Sequence, residues 1–123
     1  MTSSPLRTLI VDDEPLANEA ISELLSEYDE IKLVACCDNA FDAIETIQQQ
    51  KPELILLDIH LPVMSGLELL ERVNTVYRPK VIIVSAYQDY ALTAVQADVV
   101  DYVLKPVEPL RLKSAVDKVV LFN

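Results

Sequence analysis

Five polar groups stand at comparable places in this 123-residue chain, each closing a short apolar run. Asp12 and Asp13 end "LIVDD", Asp58 ends "LILLD", Ser85 ends "VIIVS" and Lys105 ends "YVLK". Carboxylates brought together repel one another, and their protons are held more tightly unless a cation is near. One lysine cannot balance three acids. A hard divalent ion with oxygen ligands can, and Mg²⁺ suits best, because it accepts one or two carboxylates, keeps several waters and adds phosphate oxygens. The set therefore reads as a metal-plus-phosphate site, provided the fold gathers its members at one place. Solvated strand ends are the plainer alternative.

The elements that must gather them are legible from periodicity. Strand-like runs fall at 7–11, 31–37, 53–58, 80–85 and 101–105. The third and fourth are apolar on consecutive positions, as in central parallel strands covered on both faces. Between the runs the period becomes helical. Ala17, Ile21, Leu24 and Tyr28 share one face, as do Ala40, Ala43, Ile44 and Ile47. Leu67, Leu70 and Val73 form a third set, Ala91, Ala94 and Val95 a fourth, and Leu112, Ala115, Val116 and Val119 a fifth. Pro15 and Pro109 suit first helical turns, Asn39 an N-cap, and Ser65 with Glu68 a capping box. Strand–helix–strand units this short require right-handed crossovers between parallel strands. The expected fold is a single α/β domain over 1–123, a doubly wound (βα)5 of the flavodoxin-like or CheY-like kind. Its five-stranded parallel sheet should have the order 2-1-3-4-5. Ligands of such sheets bind beyond the carboxyl ends of the strands, at the switch point between strands 1 and 3. That is where the five groups fall.

Bulk properties narrow the function classes. A hydrophobic content of 51% supports a filled core without disulfide or metal. Twenty acids against ten bases, a net charge of −10, argue against direct nucleic-acid binding, which needs phosphate neutralisation. Cys36 and Cys37 are adjacent on a strand and point to opposite faces, so they suit neither a metal pair nor an ordinary disulfide. Reduced thiols, with no membrane span or signal peptide, are expected of a soluble cytoplasmic protein.

Along almost its whole length the sequence resembles the receiver domain of bacterial two-component response regulators. The residues carrying the resemblance are "LIVDDEP", "LLDIHLPVMSGLEL", the Ser85–Ala86 pair and "DYVLKP". The resemblance implies that Asp58 accepts a phosphoryl group from a sensor histidine kinase. It implies that Asp13, Asp58 and the backbone carbonyl of His60 bind Mg²⁺ directly, with Asp12 acting through a metal-bound water. Lys105, Ser85 and the Ala86 N–H would then contact phosphoryl oxygens, and the Lys105–Pro106 bond would be cis. Ser85 and Tyr102 would form a switch pair biasing the face made by the fourth helix, the fifth strand and the last helix, with homodimerisation through that face. A receiver catalyses its own phosphorylation and dephosphorylation but is not a turnover enzyme. The stretch "VSAYQDYALTAVQADVVDYVLKPV" looks more finely like receivers of the LytTR subfamily. Such receivers control transcription through a C-terminal DNA-binding domain, which these 123 residues do not contain. A stand-alone or degenerate receiver serving as an interaction module is the alternative.

Rival readings fare worse. A nucleotide- or flavin-binding domain needs a phosphate-cradling loop after its first strand, and "DDEP" would repel phosphate. An aspartyl-phosphate hydrolase often carries a second acid two residues after its nucleophile, where this chain has His60. His60 and Tyr87, each two residues beyond a site residue, are expected to flank the phosphoryl group and govern water access. Glu14 reads as a helix-start charge rather than a site residue, and Gly66 as the residue permitting the turn into the third helix.

Overall fold

Runs of Val, Ile and Leu set the strands of the computed structural model, which describes residues 4–73, 77–88 and 98–122. The strands are β1 (Leu6–Val11), β2 (Ile31–Cys37), β3 (Leu54–Leu57), β4 (Lys80–Ser85) and β5 (Asp101–Leu104). All pair in parallel in the order β2-β1-β3-β4-β5, as expected. Boundaries differ from expectation by at most one residue at either end. The displaced residues still join the ladder through single bonds: Glu53 N–H donates to the Arg7 carbonyl at 2.7 Å, Asp58 N–H to Val11 at 2.9 Å and Lys105 N–H to Ser85 at 2.8 Å.

Four helices are described: α1 (Pro15–Leu25), α2 (Ala40–Gln50), α3 (Gly66–Val73) and α4 (Pro109–Phe122). Prolines open α1 and α4 because a first-turn residue needs no N–H partner. Asn39 caps α2 by accepting the Asp42 N–H at 2.9 Å, and Ser65 Oγ accepts the Glu68 N–H at 3.2 Å before α3. Tyr28 is a correction. It lies past the end of α1, in a turn where its N–H bonds the Leu25 carbonyl at 3.0 Å, yet it still packs half-buried on the core. The expected helical set Ala91, Ala94 and Val95 lies outside the described residues.

Alternation along the strands splits the core into two layers. Leu9, Val11, Ile55, Leu57, Val81 and Ile83 face α2 and α3. Ile10, Leu54, Leu56, Ile82, Val84 and Val103 face α1 and α4. Every residue of β3 is buried, as a central strand covered on both sides must be. Cutting Leu56 or Leu57 to alanine should therefore cost about 2–5 kcal/mol. Cys36 is exposed and Cys37 buried, both free, as strand neighbours on opposite faces should be. Among the described residues no helix is long and apolar enough to cross a membrane.

Candidate functional site

Strand register brings the polar groups into line. Val11 pairs with Leu57, Leu57 with Ile83, and Ser85 with Leu104, so Asp12, Asp58, Ser85 and Lys105 emerge at one edge of the sheet. At three of these ends the side chain closes a turn with the backbone two residues on. Asp12 Oδ1 accepts the Glu14 N–H at 2.9 Å, Asp58 Oδ1 accepts the His60 N–H at 2.9 Å, and Ser85 Oγ accepts the Tyr87 N–H at 3.2 Å. Asx and Ser/Thr turns of this kind steer the chain away from the strand end. They also fix one oxygen of each carboxylate, so its second oxygen has a set direction.

Those second oxygens meet at Lys105. Its Nζ lies 2.8 Å from Asp12 Oδ2, 3.0 Å from Asp58 Oδ2 and 2.8 Å from Glu14 Oε1. The Lys105–Pro106 peptide is cis. Asp12 is 1% and Asp58 5% exposed, so two carboxylates are out of water against one ammonium. Burial pushes the Asp58 carboxyl above its usual value, and neither the His60 N–H nor Lys105 fully offsets it. Burial alone would depress Lys105. Its ion-pair contacts with Asp12, Glu14 and Asp58 outweigh that and hold it well above the ordinary lysine value. The Glu14 carboxyl is lowered by its hydrogen bond to Lys105 and by that charge.

The donor set fits a hard divalent cation. Carboxylate oxygens of Asp12, Asp13, Glu14 and Asp58 lie within 4.8 Å of one another. Asp12 Oδ2 is buried and receives no aligned hydrogen bond; Lys105 holds it by charge alone. A buried carboxylate oxygen without an aligned donor is a position a metal-bound water can fill, and exposed Asp13 can supply a direct ligand. Asp12, Asp13 and Asp58 could hold such an ion, which would supply positive charge against the acids and an incoming phosphoryl group. The His60 backbone N–H donates to Asp58, and its ring packs against Tyr87 at a 45° tilt with centroids 4.1 Å apart.

Ser85, fully buried, and Tyr102, half-buried, both engage one residue. Ser85 Oγ accepts the Tyr87 N–H, and the Tyr102 hydroxyl donates to the Tyr87 carbonyl. Exposed Ala86 lies between the two strand-end contacts.

Two residues depart from their sequence reading. Glu14 occupies the N-cap position of α1, but its side chain makes no cap bond and reaches Lys105 instead. Its place in an acidic triplet was the signal. Gly66 does not serve a left-handed turn, for no glycine here has positive φ. A Cβ on Gly66 would lie 2.4 Å from the Asp58 carbonyl oxygen and 3.0 Å from Ile59 Cα. It allows the start of α3 to press against the backbone that carries Asp58.

Comparison with known proteins agrees with this layout. Residues 8–117 match the response regulator receiver domain. The chain belongs to that family. The transcriptional regulatory protein BtsR of Salmonella typhi is 38% identical over 113 residues, covering 92% of this chain and 47% of BtsR. An uncharacterized response regulatory protein of Yersinia pestis is 43% identical over 107 residues, 87% of this chain and 45% of that protein. The chain thus spans about half the length of the curated relatives it matches. Among solved structures, the response regulatory domain of mrkE from Klebsiella pneumoniae superposes with a TM-score of 0.88 at 26% identity, covering 95% of this chain and 97% of that one. A LuxR-family DNA-binding response regulator from Staphylococcus aureus gives 0.83 at 32% identity, over 93% and 98%.

Proposed function

We propose that this receiver takes a phosphoryl group on Asp58 from the phosphohistidine of a sensor histidine kinase, with Mg²⁺ held by Asp12, Asp13, Asp58 and the His60 carbonyl. The supporting observation is the convergence of Asp58, Asp12 and Lys105 within hydrogen-bond distance at the carboxyl end of the sheet. A carboxylate oxygen of Asp58 attacks phosphorus. The phosphorus–nitrogen bond breaks, and the imidazole leaves with the electron pair and takes up a proton. An ionised carboxylate needs no general base, so positioning and charge neutralisation carry the step. Lys105, the Ser85 hydroxyl and the Ala86 N–H receive the three phosphoryl oxygens. The protein acts on itself once per signal and is not a turnover enzyme.

Ser85 and Tyr102 form the switch. To reach the phosphoryl group, Ser85 Oγ must leave the Tyr87 N–H, which frees the segment that Tyr102 also holds through the Tyr87 carbonyl. Two arrangements of this corner give a population shift rather than a new fold. The output is transcriptional, through a LytTR-type DNA-binding domain and a dimer formed on the face that includes β5 and α4. The subfamily resemblance of residues 84–107 and the relatives' greater length support this part. Two free thiols fit a reducing cytoplasm.

The test is incubation with Mg²⁺ and acetyl phosphate, followed by intact mass. One alkali-labile phosphoryl group is expected, absent in Asp58→Asn and with EDTA. An adduct that survives Asp58→Asn would overturn the assignment. Sustained turnover of simple phosphate esters would point to a hydrolase instead.

A further inference from the structure

Lys105 has three N–H bonds to give and three carboxylates around it, Asp12, Glu14 and Asp58. Its aligned hydrogen bonds go to Glu14 and Asp58 while Asp12 Oδ2 stands 2.8 Å away as an ion pair, so a phosphoryl oxygen reaches this crowded ammonium most easily if one carboxylate withdraws. The three differ in how easily they can. Side chains of Asp12 and Asp58 are 2% and 5% exposed, so either would be stranded in a dry cleft without its cation. The Glu14 side chain is 64% exposed and is rehydrated as soon as it lets go. Its backbone stays fixed meanwhile, because the Glu14 N–H is held by Asp12 Oδ1 and its carbonyl accepts the Asn18 N–H of α1. The N-cap position favours a short side chain that bonds the helix's own N–H groups. Here a longer one forgoes that bond and spans to the end of β5.

We propose that Glu14 is a displaceable place-holder on Lys105: it keeps the ammonium at the mouth of the cleft, and it yields its position to the incoming phosphoryl oxygen. This rests on Asp58 being the phosphoacceptor. Because Glu14 and the donor compete for one cation, its carboxylate sets a barrier that grows with the donor's negative charge. Glu14 is thus a positioning residue and a filter on donor charge, and does not touch the reacting phosphorus.

The test compares wild type, Glu14→Gln and Glu14→Asp at saturating Mg²⁺ with two small donors at neutral pH, dianionic acetyl phosphate and monoanionic phosphoramidate. Glutamine keeps length and hydrogen bonding but removes the charge. The second-order rate constant for acetyl phosphate should rise about three- to tenfold, the scale of one partly exposed ion pair. Phosphoramidate should gain less, and high NaCl should narrow the difference between the proteins. Glu14→Asp, too short to reach Lys105 from the same backbone, should lie nearer to Glu14→Gln than to wild type. Equal rates in wild type and Glu14→Gln for both donors would overturn the proposal, as would a slower Glu14→Gln. Loss of folding is separately visible in the thermal transition. No labelling of the wild type at all would instead remove the phosphoacceptor reading on which the test depends.

Discussion

Gly66 has no room for a methyl group. On helix propensity alone, alanine would be the better residue at the start of α3, by about 0.5–1 kcal/mol. Sterics reverse the sign, because the added Cβ would sit 2.4 Å from the Asp58 carbonyl oxygen, which is backbone and has no rotamer to yield. Gly66→Ala should lose about 2 kcal/mol in urea denaturation. It should also phosphorylate at least about tenfold more slowly, since any relief moves the nucleophile's own peptide. Val63 presents the opposite case in the same loop. It is β-branched, 89% exposed, and held at φ 70, in the left-handed region. Nothing buried is lost by replacing it, so Val63→Asn should gain about 1 kcal/mol, read as a higher melting temperature. Neither fact was readable from residue types. "LPVMSG" announces a loop, but the distance from Gly66 to the Asp58 carbonyl depends on how closely α3 approaches β3.

At the scale of elements, strands and helix starts were legible because each rests on a local rule. Four apolar residues in a row, too few for a helix and bounded by polar residues, read as a central strand, and Asn39 and Pro109 mark helix starts by their own chemistry. What local rules miss is partnership across the chain. Asp101 ends no apolar run and begins β5, so nothing in its neighbourhood predicts its role. In the fold it is the clasp between β5 and α4. Arg111 donates to both its oxygens at 2.9 and 2.7 Å and to the Tyr102 carbonyl at 3.0 Å, while Lys118 donates at 2.8 Å. Burial would raise the Asp101 carboxyl. The bonds from Arg111, Lys118 and the Tyr102 N–H outweigh it and hold the group well below the usual carboxylate range. A lowered folded value contributes stability that is full above the unfolded carboxyl's value, near pH 4. It is lost as pH falls from there through the depressed folded value. Asp101→Asn should therefore cost about 1–2 kcal/mol at neutral pH. By chemical denaturation that gap should stay level down to about pH 5 and narrow below about pH 4. A gap that widened in acid would reverse the sign and remove the clasp.

Charge is distributed over the whole molecule in a way that makes the cleft its least comfortable part. The chain carries net −10, and four of its carboxylates gather where a single ammonium faces them. That gathering was foreseeable, since strand order alone sends the ends of β1, β3 and β5 to one edge. The share taken by Glu14 was masked, because an acid before a proline already has an explanation in the helix it precedes and only its place in the acidic triplet pointed to the cleft. An ion that binds only the folded cleft stabilises it by mass action, about 2.7 kcal/mol at a hundredfold excess over its dissociation constant. For a domain of this size that is roughly 10 °C in melting temperature. Mg²⁺ should thus produce a saturable rise, whereas NaCl at equal ionic strength should give only the shallow gain of general screening. Asp13 is exposed, so Asp13→Ala should fold normally yet lose the saturable component while keeping the screening one. Asp58→Asn, which removes a buried charge from the crowd, should melt higher than wild type without Mg²⁺ and respond to it less. If Mg²⁺ and NaCl moved wild type and Asp13→Ala alike, the acids would be a solvated rim rather than a metal site, and the charge balance drawn here for Lys105 would have to stand without a second cation.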